Sequence, residues 1–171
     1  MGHNKAASAA QAAQALNPGT RITALPQRAD VSTLPGWVGA ADLVLDCSDN
    51  FATRHAVNAT CVRHAKPLVS GAAIRMDGQV SVYDSRQADA PCYACLFPPG
   101  EAPEETRCAT LGVFAPLVGI IGTVQAAEAL KILSGMGSRM AGRLLMLDGR
   151  ALAWNDIRLQ RDPACPVCGT R

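Results

Sequence analysis

The sequence is short of several features that would place it quickly. Its longest apolar run, residues 111–124, has 14 residues and carries Pro116, Gly119 and Gly122, which falls short of the roughly 20 residues that cross a bilayer. Residues 6–16 are alanine-rich but interrupted by Ser8, Gln11 and Gln14, so they lack the unbroken core of a signal peptide. Met1-Gly2 is followed by Ala6 where myristoylation wants Ser or Thr. The 16 basic residues form no run, and the net charge of +2 is too small to argue for nucleic acid or an anionic membrane surface. Gly135-Met136-Gly137 is only a G-x-G, and it follows a helical pattern where a phosphate fingerprint follows a strand. His3, His55 and His64 show no metal-ligand spacing. These absences lead us to expect a soluble, cytoplasmic protein that binds neither membrane nor nucleic acid.

Cysteine is the residue present in excess. Seven of 171 residues are Cys, an odd count without a secretion signal, which points away from a disulfide framework. Four of them form two C-x-x-C pairs, Cys92/Cys95 and Cys165/Cys168. Each pair can offer two thiolates from one turn, and together they make the closed set of a structural zinc site with no open position for catalysis. Two redox dithiols, or unrelated thiols, are the alternatives. Shared ligation requires the fold to tie the C-terminus to the middle of the chain. Cys47 and Cys61 read as small packed residues. Cys108 lies beside Arg107 and ahead of a helix, a setting that can lower a thiol pKa, although from position alone an incidental loop cysteine is the better reading.

The apolar patterning predicts an α/β fold. Residues 4–16 suit a helix ended by Asn17-Pro18-Gly19, residues 20–25 alternate as a strand, and a helical turn falls near 34–38. Strand, helix and strand follow at 43–46, 51–65 and 67–73, with Val57, Cys61 and Val62 as the inner face of the helix, the order of a parallel crossover unit. Residues 74–83 alternate around Asp77-Gly78, a hairpin signal. Residues 85–112 hold four prolines and little periodicity and read as a long loop, of a length that is usually functional or disordered. A core helix is predicted from about 117 to 133, and a second hairpin at 143–158 turns at Asp148-Gly149.

The acidic turn after Leu43-Val44-Leu45 is the candidate reaction centre. Asp46 and Asp49 arrive as the strand ends, and open parallel sheets bind ligands outside the carboxyl ends of their strands. Two carboxylates there can hold Mg²⁺ shared with a substrate's phosphates. The competing reading is that Asp49 and Asn50 only cap the next helix.

Taken in order, a set of runs resembles the ThiF/MoeB/HesA family of adenylyltransferases, relatives of the ubiquitin-activating enzymes. They are Leu-Asp-Cys-Ser-Asp-Asn-Phe-Ala-Thr-Arg at 45–54, Pro-Leu-Val-Ser-Gly-Ala-Ala-Ile-Arg-Met-Asp-Gly-Gln at 67–79 and Pro-Cys-Tyr-Ala-Cys-Leu at 91–96. Cys-Ala-Thr-Leu-Gly-Val at 108–113, Gly-Thr-Val-Gln-Ala-Ala-Glu-Ala-Leu-Lys at 122–131 and the final Cys-x-x-Cys-Gly continue the series. Gly2-His3-Asn4-Lys5 through Asn17-Pro18 is similar to the family's lysine-bearing helix.

The resemblance implies a Rossmann-like, mostly parallel sheet with antiparallel hairpins and a four-cysteine zinc site. It implies ATP-dependent adenylylation of the C-terminal glycine of a ubiquitin-like sulfur carrier ending in Gly-Gly, of the ThiS or MoaD type, in thiamine or molybdopterin biosynthesis. Asp49 corresponds to the carboxylate that works with Mg²⁺ and ATP, Asn50 to its neighbour at the nucleotide, and Lys5 to a phosphate-contacting lysine. Cys92, Cys95, Cys165 and Cys168 correspond to the structural Zn²⁺ ligands, and Cys108 to a loop cysteine that in some members bonds covalently to the carrier. A homodimer is implied, with the apolar hairpins forming part of the carrier-docking surface. The family's Gly-rich ATP loop, its acidic ribose-binding residue and its partner-donated arginine have no counterpart in these 171 residues. The expectation is therefore a single domain over 1–171, the C-terminal two-thirds of the family's unit. The alternative to an enzyme is a zinc-binding fragment that docks a carrier or a homologous subunit without adenylating it.

Overall fold

The structure, a computed structural model, describes residues 2–100 and 111–169. Its helices are α1 (Lys5–Leu16), α2 (Leu34–Ala40), α3 (Phe51–Arg63), α4 (Tyr93–Leu96) and α5 (Ala115–Leu133). Its strands are β1 (Val44–Asp46), β2 (Leu68–Ile74), β3 (Asp77–Tyr83), β4 (Arg143–Asp148) and β5 (Ala153–Arg158). They form one sheet in the order β1-β2-β3-β4-β5. β1 and β2, joined by α3, pair in parallel, and the other three pairings are antiparallel. The α/β class with its hairpins is as expected, but the sheet is mixed and not mostly parallel: among the described strands only the β1–α3–β2 crossover unit is parallel.

The sheet is covered on both faces because its central strands alternate. Leu68 and Tyr83 turn to one face, where they meet Leu34 and Val38 of α2, Val57 and Cys61 of α3, and Tyr93 of α4. Val69, Val80 and Val82 turn to the other, against Leu117 and Ile121 of α5, with Met140 and Leu147. α5 holds the longest apolar segment, and its buried side includes Gln125 and Glu128, so it serves as a core helix. Its outer side leaves Val118, Leu130 and Leu133 exposed.

Three local expectations are corrected. Residues 20–25 form no strand; an alternating segment becomes a strand only with a ladder partner, and none of the described strands pairs with it. The first hairpin turns at Arg75-Met76, since Ile74 pairs with Asp77, and Gly78 lies inside β3. Gly78 is needed there for room: a Cβ would stand 2.7 Å from the Ile121 side chain. Cys47 is exposed, with its thiol donating to Gln125 Oε1 at 3.6 Å, while Cys61 is packed as expected. The second hairpin does turn after Asp148, whose Oδ1 accepts from the Arg150 and Ala151 amides.

Candidate functional site

The acidic turn forms where β1 ends. Asp46 is buried and its Oδ1 accepts from the Ser48 amide at 2.9 Å, which bends the chain out of the strand. Asn50 is the N-cap of α3, its Oδ1 accepting from the Thr53 amide at 2.8 Å, so the capping reading holds for Asn50. One turn into α3, Arg54 returns to the Ser48 carbonyl through Nε at 3.2 Å and Nη2 at 2.6 Å. Asp49 caps nothing in this arrangement and is exposed at the tip of the turn.

Beneath the turn the strands are set by α5. Gln125 Nε2 donates to the carbonyls of Asp46 at 3.0 Å and Val69 at 3.3 Å. Gly71 makes this possible, because a Cβ there would sit 2.3 Å from the Gln125 amide. Although Cys47 as a residue is exposed, its thiol is partly withdrawn from water beside Gln125; this desolvation lifts its pKa, and the neighbouring Asp46 adds to the rise. Cys61 is raised to about 12, chiefly by burial. Neither is a poised thiolate.

The turn opens on a cleft of about 260 Å³. Asp49, Asn50 and Arg54 line one side, Asp77 and Gln79 of β3 the other, with Phe51 and Phe97 among its apolar walls. It lies at the carboxyl ends of β1 and β2, and it combines carboxylates, a guanidinium and two amides with aromatic surface. Such a site can hold a charged ligand with a flat or apolar part. Lys5 is not among its lining residues. It stands exposed in the first turn of α1, a helix without a buried residue, behind the Asn4 cap. Cys108 lies outside the described residues.

The second centre is the cysteine knuckle. Sγ of Cys92, Cys95, Cys165 and Cys168 all lie within 4.8 Å of one another. Cys92–Cys165 is 3.7 Å, Cys95–Cys168 3.4 Å and Cys92–Cys95 4.0 Å. A tetrahedral ion with metal–sulfur bonds of about 2.3 Å places its sulfurs about 3.8 Å apart, so these four side chains fit a metal. Ala94 is buried with them, and Val62 and Val167 pack against the group. Asn58 of α3, 1% exposed, donates from Nδ2 to Cys92 Sγ at 3.6 Å and accepts the Tyr93 amide on Oδ1 at 2.9 Å.

Sequence reading missed Arg54, Asn58, Gln79 and Phe97 as site residues. Arg54 ended one of the recognised runs, and its spacing to Asn58 puts both on one side of a helix, a signal that was available. Gln79 and Phe97 reach the cleft only through the hairpin and the knuckle.

Comparison with known proteins adds ancestry to this geometry. The chain is 44% identical over 154 residues to the sulfur carrier protein ThiS adenylyltransferase of Escherichia coli K12, covering 90% of this chain and 60% of that protein. It is 42% identical over 172 residues to the molybdopterin-synthase adenylyltransferase of the same organism, covering 99% of this chain and 67% of the relative. Among solved structures, E. coli MccB with ATP superposes with a TM-score of 0.78 at 19% identity, covering 99% of this chain and 52% of MccB; that likeness concerns the fold. The chain thus spans about half to two-thirds of these relatives. The profile of the ThiF family matches residues 1–167, and this chain belongs to the ThiF family.

Proposed function

We propose that this chain carries part of the active site of an ATP-dependent adenylyltransferase acting on a ubiquitin-like sulfur-carrier protein. The observation that carries the reading is the cleft at the ends of β1 and β2, with the uncommitted carboxylate of Asp49 at its mouth. The names of the two E. coli relatives support the substrate class. In the reaction, a carboxylate oxygen of the carrier's terminal glycine bonds to the α-phosphorus of ATP. The bond from that phosphorus to the bridging oxygen breaks, and pyrophosphate leaves with the electron pair. Mg²⁺ would supply neutralisation of the phosphate charge. Asp49 would hold it, Asn50 keeps the turn at the head of α3, and Lys5, which does not line the cleft, would have to reach the phosphates from α1. The four cysteines would hold a structural Zn²⁺. The exposed outer side of α5 supports the homodimer implied by the family.

A second reading is that the chain docks a carrier and does not adenylate it. One measurement separates the two. ATP–pyrophosphate exchange that depends on a carrier ending in Gly-Gly, and that Asp49→Ala abolishes, supports the enzyme. Carrier binding without exchange supports the docking module. Exchange that survives Asp49→Ala removes Asp49 from the chemistry.

A further inference from the structure

The acidic turn and the cysteine knuckle meet on one helix. α3 begins at the turn, capped by Asn50. Arg54, in its second turn, grips the Ser48 carbonyl with two donors. Asn58, four residues on and therefore above the same stripe of the helix, reaches the knuckle with both ends of its amide. Its NH₂ donates to a cysteine sulfur and its oxygen holds the amide of the residue between Cys92 and Ala94. A buried amide with both ends used has little freedom to turn.

Ring contacts run in parallel. Tyr93 packs on Phe97 at 4.8 Å between centroids and meets His55 edge-on at 5.3 Å. Phe97 reaches Phe51, the first residue of α3, at 6.1 Å, and both phenyl rings line the cleft beside Asp49. Displacing the knuckle therefore displaces a wall of the cleft as well as the helix that carries the turn.

We propose that Asn58 and Arg54 are positioning residues that couple the knuckle to the Asp49 turn, so that a metal-loaded knuckle holds the turn in its cleft-facing form. This rests on the reading that the four cysteines bind one metal ion. A neutral amide donating to a ligand sulfur steadies the charged thiolate, and loss of such a supporting partner typically lowers metal affinity about 10–100-fold. Arg54 does not touch the sulfurs in this scheme. It transmits the position of α3 to the Ser48 carbonyl and hence to Asp49.

The test uses the whole chain and Co²⁺ as a spectroscopic probe, with amide hydrogen exchange followed over residues 46–52. The wild type is expected to take up one Co²⁺ with thiolate charge-transfer bands, and exchange over 46–52 is expected to slow about tenfold on loading. Asn58→Asp, which keeps the acceptor and places a negative charge against the sulfur, is expected to bind Co²⁺ about 10–100-fold more weakly with shifted bands. Asn58→Gln, which keeps both amide functions, recovers part of the affinity. Arg54→Gln leaves cobalt affinity and spectrum at wild-type values but exchanges at 46–52 at the metal-free rate whether loaded or not; Arg54→Lys, which keeps one donor, falls between. A wild type that binds no Co²⁺ through its thiols overturns the metal reading and the coupling with it. A wild type that loads Co²⁺ normally with unchanged exchange over 46–52 overturns the coupling alone. So does an Asn58→Asp variant with native affinity and spectrum.

Discussion

The knuckle and the acidic turn are both short motifs, yet they are built in opposite ways. The knuckle joins two pieces 73 residues apart, Cys92 to Cys165 and Cys95 to Cys168, and buries three of its four cysteines. The turn is local, closed by contacts such as Asp46 to Ser48 and Arg54 to Ser48, two and six residues apart, and leaves Asp49 exposed. The proposed roles of the two regions would account for the contrast. A structural metal site needs every coordination position filled and water shut out. A phosphate-handling carboxylate must stay open to a ligand that comes and goes. The knuckle should therefore carry stability and the turn should carry function, and each can be perturbed without the other only as far as α3 allows.

The largest expected effect is on the knuckle. Cys168→Ser removes one of the four proposed ligands, and metal analysis should fall from about one ion per chain to well below half. Binding free energy at such sites is folding free energy. Losing several kcal/mol of it should lower the melting temperature on the order of 10 °C, at about 2–4 °C per kcal/mol for a chain of this size. A variant that keeps a full metal load and melts as the wild type would mean that the two C-x-x-C pairs do not share an ion. The comparison would then collapse into two exposed motifs.

A smaller effect is expected under the turn. Gln125→Leu withdraws the donor shared by the Asp46 and Val69 carbonyls, leaving buried acceptors short of a partner at a cost of about 1–3 kcal/mol. Thermal melting should register it, whereas Asp49→Ala, at the exposed tip, should leave the stability within about 0.5 kcal/mol of wild type. If both substitutions were equally harmless, the strand carrying the turn would be held by its ladder alone, and the division between a structural base and a functional tip would fail.

How far these features were legible follows from the same division. The two knuckles, the Asp46–Asn50 turn, α3, α5 and the second hairpin could be read because each is specified over a few neighbouring residues by spacing, caps or periodicity. Residues 20–25 alternate correctly for a strand, but pairing is a property of two segments and the sequence shows only one. Asp77-Gly78 is a hairpin turn by dipeptide, yet Gly78 answers to Ile121 of α5, a demand set across the core. Phe97 and Gln79 reach the cleft for the same non-local reason. Arg54 was within reach of sequence reasoning, since helical spacing from Asn50 and to Asn58 could have marked it.

The smallest effect tests which region responds to acid. Asp84 precedes the chain's approach to Cys92 and is forked by Arg86, with Nε to Oδ1 and Nη2 to Oδ2 both 2.8 Å. These hydrogen bonds from Arg86 hold the Asp84 carboxyl below the usual carboxylate range, against the opposing effect of burial. A carboxyl depressed in the folded state adds stability that is fully present above about pH 4, its ordinary unfolded value. That stability is lost as pH falls through the lower folded value. The Arg86 side chain is 51% exposed, so solvent screening keeps the contribution under about 1 kcal/mol. Denaturant midpoints for wild type and Asp84→Asn should therefore differ by a few tenths of a kcal/mol to about 1 kcal/mol at pH 6 and converge toward pH 3. Both proteins share every other carboxylate and all four knuckle thiols, so the difference isolates the Asp84 carboxyl with its partners, the Arg86 guanidinium and amide and Gln87. Convergence assigns the Asp84 contribution to its charge and places one acid-sensitive element on the knuckle side of the molecule. A gap that stays constant with pH would make Asp84 a matter of shape and hydrogen bonding, leaving its charge no part in how the chain is led to the knuckle.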